Sequence, residues 1–180
     1  MANVLVITSS LRGNSNSDIF ANKVVEGIKD AGNNAEIISL KGKNIKYCIG
    51  CLSCQKTGKC ALKDDMAEII EKMRKVDSIV FVTPIYYYEM SGQLKTFLDR
   101  TNPMYGSEYN FRNICLVMTA ADTANFTPER AINGLGGWID CYEQTTLVDT
   151  LFLGDNNDPG DANKHKEQLL EAYNFGKKIK

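Results

Sequence analysis

Histidine is nearly missing from this chain: His165 is the only one in 180 residues. It falls in the polar first part of the last helical stretch and reads as a surface residue, which excludes Ser-His-Asp and Cys-His catalysis and any histidine-built metal site. No apolar run approaches the roughly 20 residues that span a bilayer as a helix, and no basic segment with a cleavage site precedes the first strand-like run. The expectation is a cytoplasmic protein with no membrane partner. The net charge is only -1, so there is no basic footprint for nucleic acid. Two phosphate-binding signatures are also absent. Neither G-x-G-x-x-G nor G-x-x-x-x-G-K-[ST] occurs, which disfavours a tightly held dinucleotide and nucleoside triphosphate hydrolysis alike.

The composition, 43% hydrophobic and 24% charged, suits a soluble globular protein. The length suits one domain over residues 1–180, with a core that needs no staples. In a reducing cytoplasm the six cysteines read as thiols or ligands.

Apolar runs alternate with helical periodicity along the whole chain. Val4–Ile7, Ile79–Val82 and Ile114–Met118 are continuous runs, as expected of central parallel strands buried on both faces. Ala35–Leu40 and Leu147–Leu153 mix in Glu36, Ser39, Asp149 and Thr150 and read as edges. Between them lie helical patterns: Phe20, Val24, Val25 and Ile28; Met66, Ile69, Ile70 and Met73, with Asp64-Asp65 as caps; Gln93–Arg100; a start at Thr127-Pro128-Glu129; and Asp161–Lys178. Trp138 falls in register with Ile132, Leu135 and Ile139, for core or interface packing, while Gly134, Gly136 and Gly137 suggest a helix break or a close approach to a partner. This alternation predicts an α/β three-layer fold, with five parallel strands in the flavodoxin-like order 2-1-3-4-5 and helices on both faces.

Cys48, Cys51, Cys54 and Cys60 form a C-x2-C-x2-C-x5-C run inside the long irregular stretch from Lys41 to Lys63. Thiolates this close suit a metal centre better than a disulfide. Three readings stand: a [4Fe–4S] cluster, a four-cysteine zinc site, or a loop that no longer carries a cluster. Because the loop leaves the second strand, the cysteines are expected at the carboxyl edge of the sheet, beside the main site. Cys115 and Cys141 read as inert.

Two loops at that edge carry the rest. Ser9, Ser10, Arg12, Ser15, Asn16 and Ser17 follow the first strand and open a helix, so hydroxyls, a cation and a helix start surround a place for phosphate. Thr83-Pro84-Ile85-Tyr86-Tyr87-Tyr88 ends the third strand. Three consecutive tyrosines cannot all face one core, so at least one is available to a flat heteroaromatic ring or to another subunit.

The Ser9, Arg12, Ser15, Asn16, Ser17 loop, Thr83-Pro84-x-Tyr86, Gln93-Leu94-Lys95 and Asp99-Arg100 resemble the NAD(P)H-dependent FMN reductases. The cysteine run followed by Lys63-Asp64-Asp65-Met66 is similar to the iron–sulfur flavoproteins of the same superfamily. The resemblance implies FMN, its phosphate held by Ser9, Arg12, Ser15, Asn16 and Ser17. It implies an isoalloxazine lined by Pro84, Ile85, Tyr86 and Tyr87, closed on another side by Thr119, Ala120 and Asp122, and a homodimer or homotetramer. One departure is Ser15, which stands where the related loop has glycine. The implied activity passes electrons from NAD(P)H to a small-molecule acceptor such as a flavin, quinone or azo compound. The alternative is an electron carrier with FMN and a [4Fe–4S] cluster fed by ferredoxin, and a third is a metal-binding interaction domain without catalysis.

Overall fold

The computed structural model describes residues 1–180. Strand β1 (Asn3–Thr8) leads through the serine-rich loop into α1 (Asn16–Asp30), and β2 (Asn34–Ser39) follows. The short helix α2 (Ser53–Thr57) lies within the cysteine stretch, before α3 (Met66–Met73). Next come β3 (Ser78–Tyr86), the two-residue β4 (Glu89–Met90), α4 (Gly92–Asp99) and β5 (Asn113–Thr119). The chain closes with α5 (Glu129–Ile139), β6 (Thr146–Leu153) and α6 (Lys166–Lys178).

The parallel strands lie in the order β2-β1-β3-β5-β6, with β4 paired antiparallel to the end of β3. The three continuous apolar runs are the interior strands and the two mixed ones are the edges. The expectation of five strands is corrected to six. The added one is a hairpin return too short to show any period-2 pattern, since it holds only Glu89 and Met90.

The pleat divides the core in two. Leu5, Ile7, Ile79, Phe81, Leu116 and Met118 face α3, α4 and α5, while Val4, Val6, Val80, Val82 and Val117 face α1 and α6. Each fully buried large side chain contributes roughly 1.5–3 kcal/mol. Helices α1 and α6 cross with almost no space between their backbones. A Cβ on Gly27 would come 2.1 Å from the Tyr173 carbonyl oxygen, and one on Gly176 would come 2.1 Å from that of Val24.

Several local expectations need correction. The final helical stretch is two pieces, a 3-10 turn at Asp161–Lys164 and then α6. Thr127 does not cap α5; its hydroxyl donates to Asp122 at 2.7 Å. Helix α5 runs unbroken through Gly136 and Gly137, where an added Cβ meets nothing of its own chain within 4 Å, so no helix break explains these two. Trp138 is core: its ring meets Phe81, Phe111 and Tyr142, and its Nε1 donates to Thr101 Oγ at 2.8 Å.

Candidate functional site

Strands β1, β3 and β5 end together at the carboxyl edge, and the loops beyond them enclose one cleft. Ser10, Arg12, Ser15, Asn16, Ser17, Pro84, Ile85, Tyr86, Thr119 and Ala120 line it. Ser15 caps α1 by accepting the Asp18 N–H, and the hydroxyls of Ser17 and Thr119 meet at 2.8 Å. The backbone N–H groups of Ser10, Ser15, Asn16 and Ser17 find no acceptor within the protein, although all four residues are buried. Buried donors without partners are costly, and at a helix start they form a place for an anion.

Three expected residues lie outside this lining. The buried Ser9 hydroxyl donates to the Val82 carbonyl at 3.3 Å and accepts from Ser91 at 2.8 Å, so it braces the loop from below. Tyr87 is 99% exposed. The Asp122 carboxylate turns to Thr127 and to the Ala124 N–H, and these donors, the Thr127 hydroxyl first, hold its pKa below the usual carboxylate range. Asn16 lines the cleft, but its side chain is already engaged. Its amide nitrogen donates to the carbonyls of Asn156 and Asp158, and its oxygen accepts from the N–H groups of Gly160 and Ala162. Only the backbone N–H of Asn16 remains for a ligand.

Sequence reasoning missed Asn156 and Asn157, which close the cleft from the loop after β6. Arg12 Nη1 donates to the Asn157 carbonyl at 2.6 Å. The signal was present in Gly154-Asp155-Asn156-Asn157-Asp158-Pro159-Gly160, a turn-rich stretch at a strand's carboxyl end.

The rim of the cleft is strained. Tyr86 pairs with Glu89 across the β3–β4 hairpin, leaving Tyr87 and Tyr88 as a two-residue turn with φ of 51° and 66°. Both signs are those of a type I′ turn, which favours Asn-Gly, and each non-glycine residue there costs on the order of 1–2 kcal/mol. Tyr88 meets Phe126 with ring centroids 5.8 Å apart.

The four cysteines of the run line a second, separate cavity with Asp99, Arg100, Asn102 and Pro103. This cavity shares no lining residue with the cleft. Helix α4 begins at the edge, where Ser91 touches Ser9, and its eight residues descend about 12 Å at 1.5 Å per residue. The cysteine loop meets the far end of that helix. Arg100 is its anchor. The guanidinium, 1% exposed, grips Asp64 through two contacts of 2.6 and 2.9 Å and donates to the Lys46 carbonyl at 2.6 Å. Burial works against the Asp64 carboxylate, but Arg100 and the N–H groups of Lys46 and Met66 outweigh it and keep its pKa below the ordinary value. Asp64 is thus a buried ion-pair partner as well as a cap. Asp65 does not cap α3; its carboxylate takes the Asn44 N–H.

Residues 2–131 match the NADPH-dependent FMN reductase family. The chain belongs to that family. An iron–sulfur flavoprotein of Methanocaldococcus jannaschii is 28% identical over 190 residues, covering 98% of this chain and 94% of that one. One from Archaeoglobus fulgidus is 40% identical over 101 residues, covering 56% of this chain and 50% of that relative, so there the match spans half its length. The fold is that of the NAD(P)H:quinone oxidoreductase from Methanothermobacter marburgensis, with a TM-score of 0.77 at 18% identity and coverage of 98% and 94%. The azoreductase AzrA has a TM-score of 0.72 at 16% identity, with coverage of 99% and 100%. These likenesses establish a flavodoxin-like fold.

As a member of the FMN reductase family the protein is a flavin-type oxidoreductase. Its cleft suits FMN: unpartnered buried N–H groups and Arg12 could take the phosphate, and Pro84, Ile85 and Tyr86 offer a largely apolar wall to a ring. No helix is long and apolar enough to cross a membrane. The donor set of the second cavity suits a sulfur-ligated cluster. Asn102 Nδ2 donates to Cys54 Sγ at 3.2 Å and Arg100 Nη2 to Cys60 Sγ at 3.4 Å. The Ser53 N–H and then its hydroxyl lower the Cys51 pKa. Such donors favour charged sulfur. No three His, Cys, Asp or Glu side chains converge to hold a metal ion in this structure.

Proposed function

We propose that this chain is one FMN-binding domain that takes electrons from NAD(P)H and passes them to a small acceptor such as a flavin, quinone or azo compound. FMN, when bound, supplies the hydride and electron chemistry. The observation that carries the reading is the row of buried, unpartnered N–H groups at the start of α1 beside Arg12. Ser15 holds the helix start, Asn16 ties it to the 156–162 loop, and Ser9 and Ser91 brace it from beneath. Pro84, Ile85 and Tyr86 give the ring an apolar side that keeps water away. Anaerobic protein should show flavin absorption that bleaches on addition of NADPH and returns with a quinone. Protein that binds FMN but is not reduced by either nicotinamide would remove the NAD(P)H-dependent reading.

Arg12→Ala should weaken FMN binding by about 1.5–3 kcal/mol, the worth of a charge-assisted contact to phosphate. The fold should be unaffected, because Arg12 is exposed and the one hydrogen bond of its side chain is to the Asn157 carbonyl. Unchanged affinity in a flavin titration would mean that the phosphate sits elsewhere.

A second reading has its own observation: four cysteines on one cavity, three of them receiving N–H or O–H donors. It is an electron carrier in which a [4Fe–4S] centre held by Cys48, Cys51, Cys54 and Cys60 works with FMN and is fed by ferredoxin. Iron and acid-labile sulfide near four of each per chain, on anaerobically prepared protein, support it. Assembly into a homodimer or homotetramer goes with either reading, since Tyr86, Tyr87 and Phe126 stand exposed at the rim. Sedimentation at micromolar concentration showing only single chains would contradict it.

A further inference from the structure

We propose that Arg100 and Asn102 are positioning residues of the cysteine site, whose N–H groups make an iron–sulfur centre there easier to reduce. The proposal rests on the iron–sulfur reading of the Cys48–Cys60 loop. Both residues come from the end of α4 and the turn after it, and each aims a side-chain donor at a different sulfur, Cys60 and Cys54. A neutral thiol is a poor acceptor. A guanidinium needed only as structural glue would give all its donors to oxygen, as it does toward Asp64 and the Lys46 carbonyl. Of its other two N–H groups, one on Nη2 is aimed at the Cys60 sulfur and the Nε–H has no partner.

The Arg100 geometry is fixed before any cluster binds. Asp64 holds two of its N–H groups, and Asp64 is itself held by the N–H groups of Lys46 and Met66. The carboxylate also offsets the guanidinium charge, so what reaches the sulfurs is chiefly the direction of the N–H dipoles. Uptake of one electron by a cluster increases the negative charge shared by its sulfurs. Fixed donors pointing at those sulfurs favour the reduced form and raise the potential.

The test is a potentiometric titration with dithionite on anaerobically reconstituted wild type, Asn102→Ala, Arg100→Lys and the double variant. Asn102→Ala strands no buried partner and keeps the fold, while Arg100→Lys retains the charge beside Asp64 but loses the fork. Each single variant should bind iron at the wild-type ratio and be harder to reduce. In the double variant the reduced-to-oxidised ratio at a fixed potential should fall about tenfold, equal to 59 mV for a one-electron couple. Unchanged potentials with full iron content overturn the proposal while leaving the cluster reading intact. Loss of iron with no shift in what remains marks both contacts as merely structural and also overturns it. A wild type that takes up no iron or sulfide sinks the cluster reading itself, and this proposal with it.

Discussion

Arg100→Ala should destabilise the protein by about 3–5 kcal/mol, because it strands the Asp64 carboxylate in a site it shares with no other cation. Urea unfolding measures this directly. A control separates the lost pair from lost packing: Asp64→Asn with Arg100→Met removes both charges and should recover most of the stability, as neutral replacements of buried pairs do. The pH dependence should change sign. In the wild type the folded-state pKa of Asp64 is depressed, so its contribution is complete above the usual carboxylate value near 3.9 and fades as pH falls through the lower folded value. In Arg100→Ala burial dominates and raises that pKa, so acidification toward pH 4 should restore stability. A variant with wild-type stability would show that the ion pair is no anchor for the loop.

Gly176→Ala should cost about 3 kcal/mol, the upper end of ordinary overpacking. The obstacle is the Val24 carbonyl oxygen of α1, 2.1 Å from the new Cβ, and backbone cannot rotate aside as a side chain can. To make room α1 must move away from α6. Because the other end of α1 carries the Asn16 and Ser17 N–H groups, FMN affinity should fall together with melting temperature. A melting temperature equal to that of wild type would show that the two helices separate freely.

Much of this fold was legible because buried parallel strands write their position as uninterrupted apolar runs. Val4–Ile7, Ile79–Val82 and Ile114–Met118 proved interior, and the Glu36 and Asp149 strands proved to be edges. The serine loop was legible for a similar reason: its residue types serve both a helix start and an anion. What stayed hidden depended on three-dimensional partners. Asn16 resembles a phosphate donor until the 156–162 loop folds over it. Asp64 resembles a cap until Arg100, thirty-six positions away, closes on it. Hairpin strand β4 has too few residues to announce itself.

The Tyr87-Tyr88 turn carries a warning for anyone making the protein more robust. A search for thermostable variants would settle early on Asn-Gly at these two positions, since relieving two left-handed tyrosines should raise the melting temperature at once. The same exchange would strip the aromatic rings from the mouth of the cleft and separate Tyr88 from Phe126. Heat tolerance and turnover should therefore diverge at this hairpin, and a selection that scores only the first would quietly discard the second.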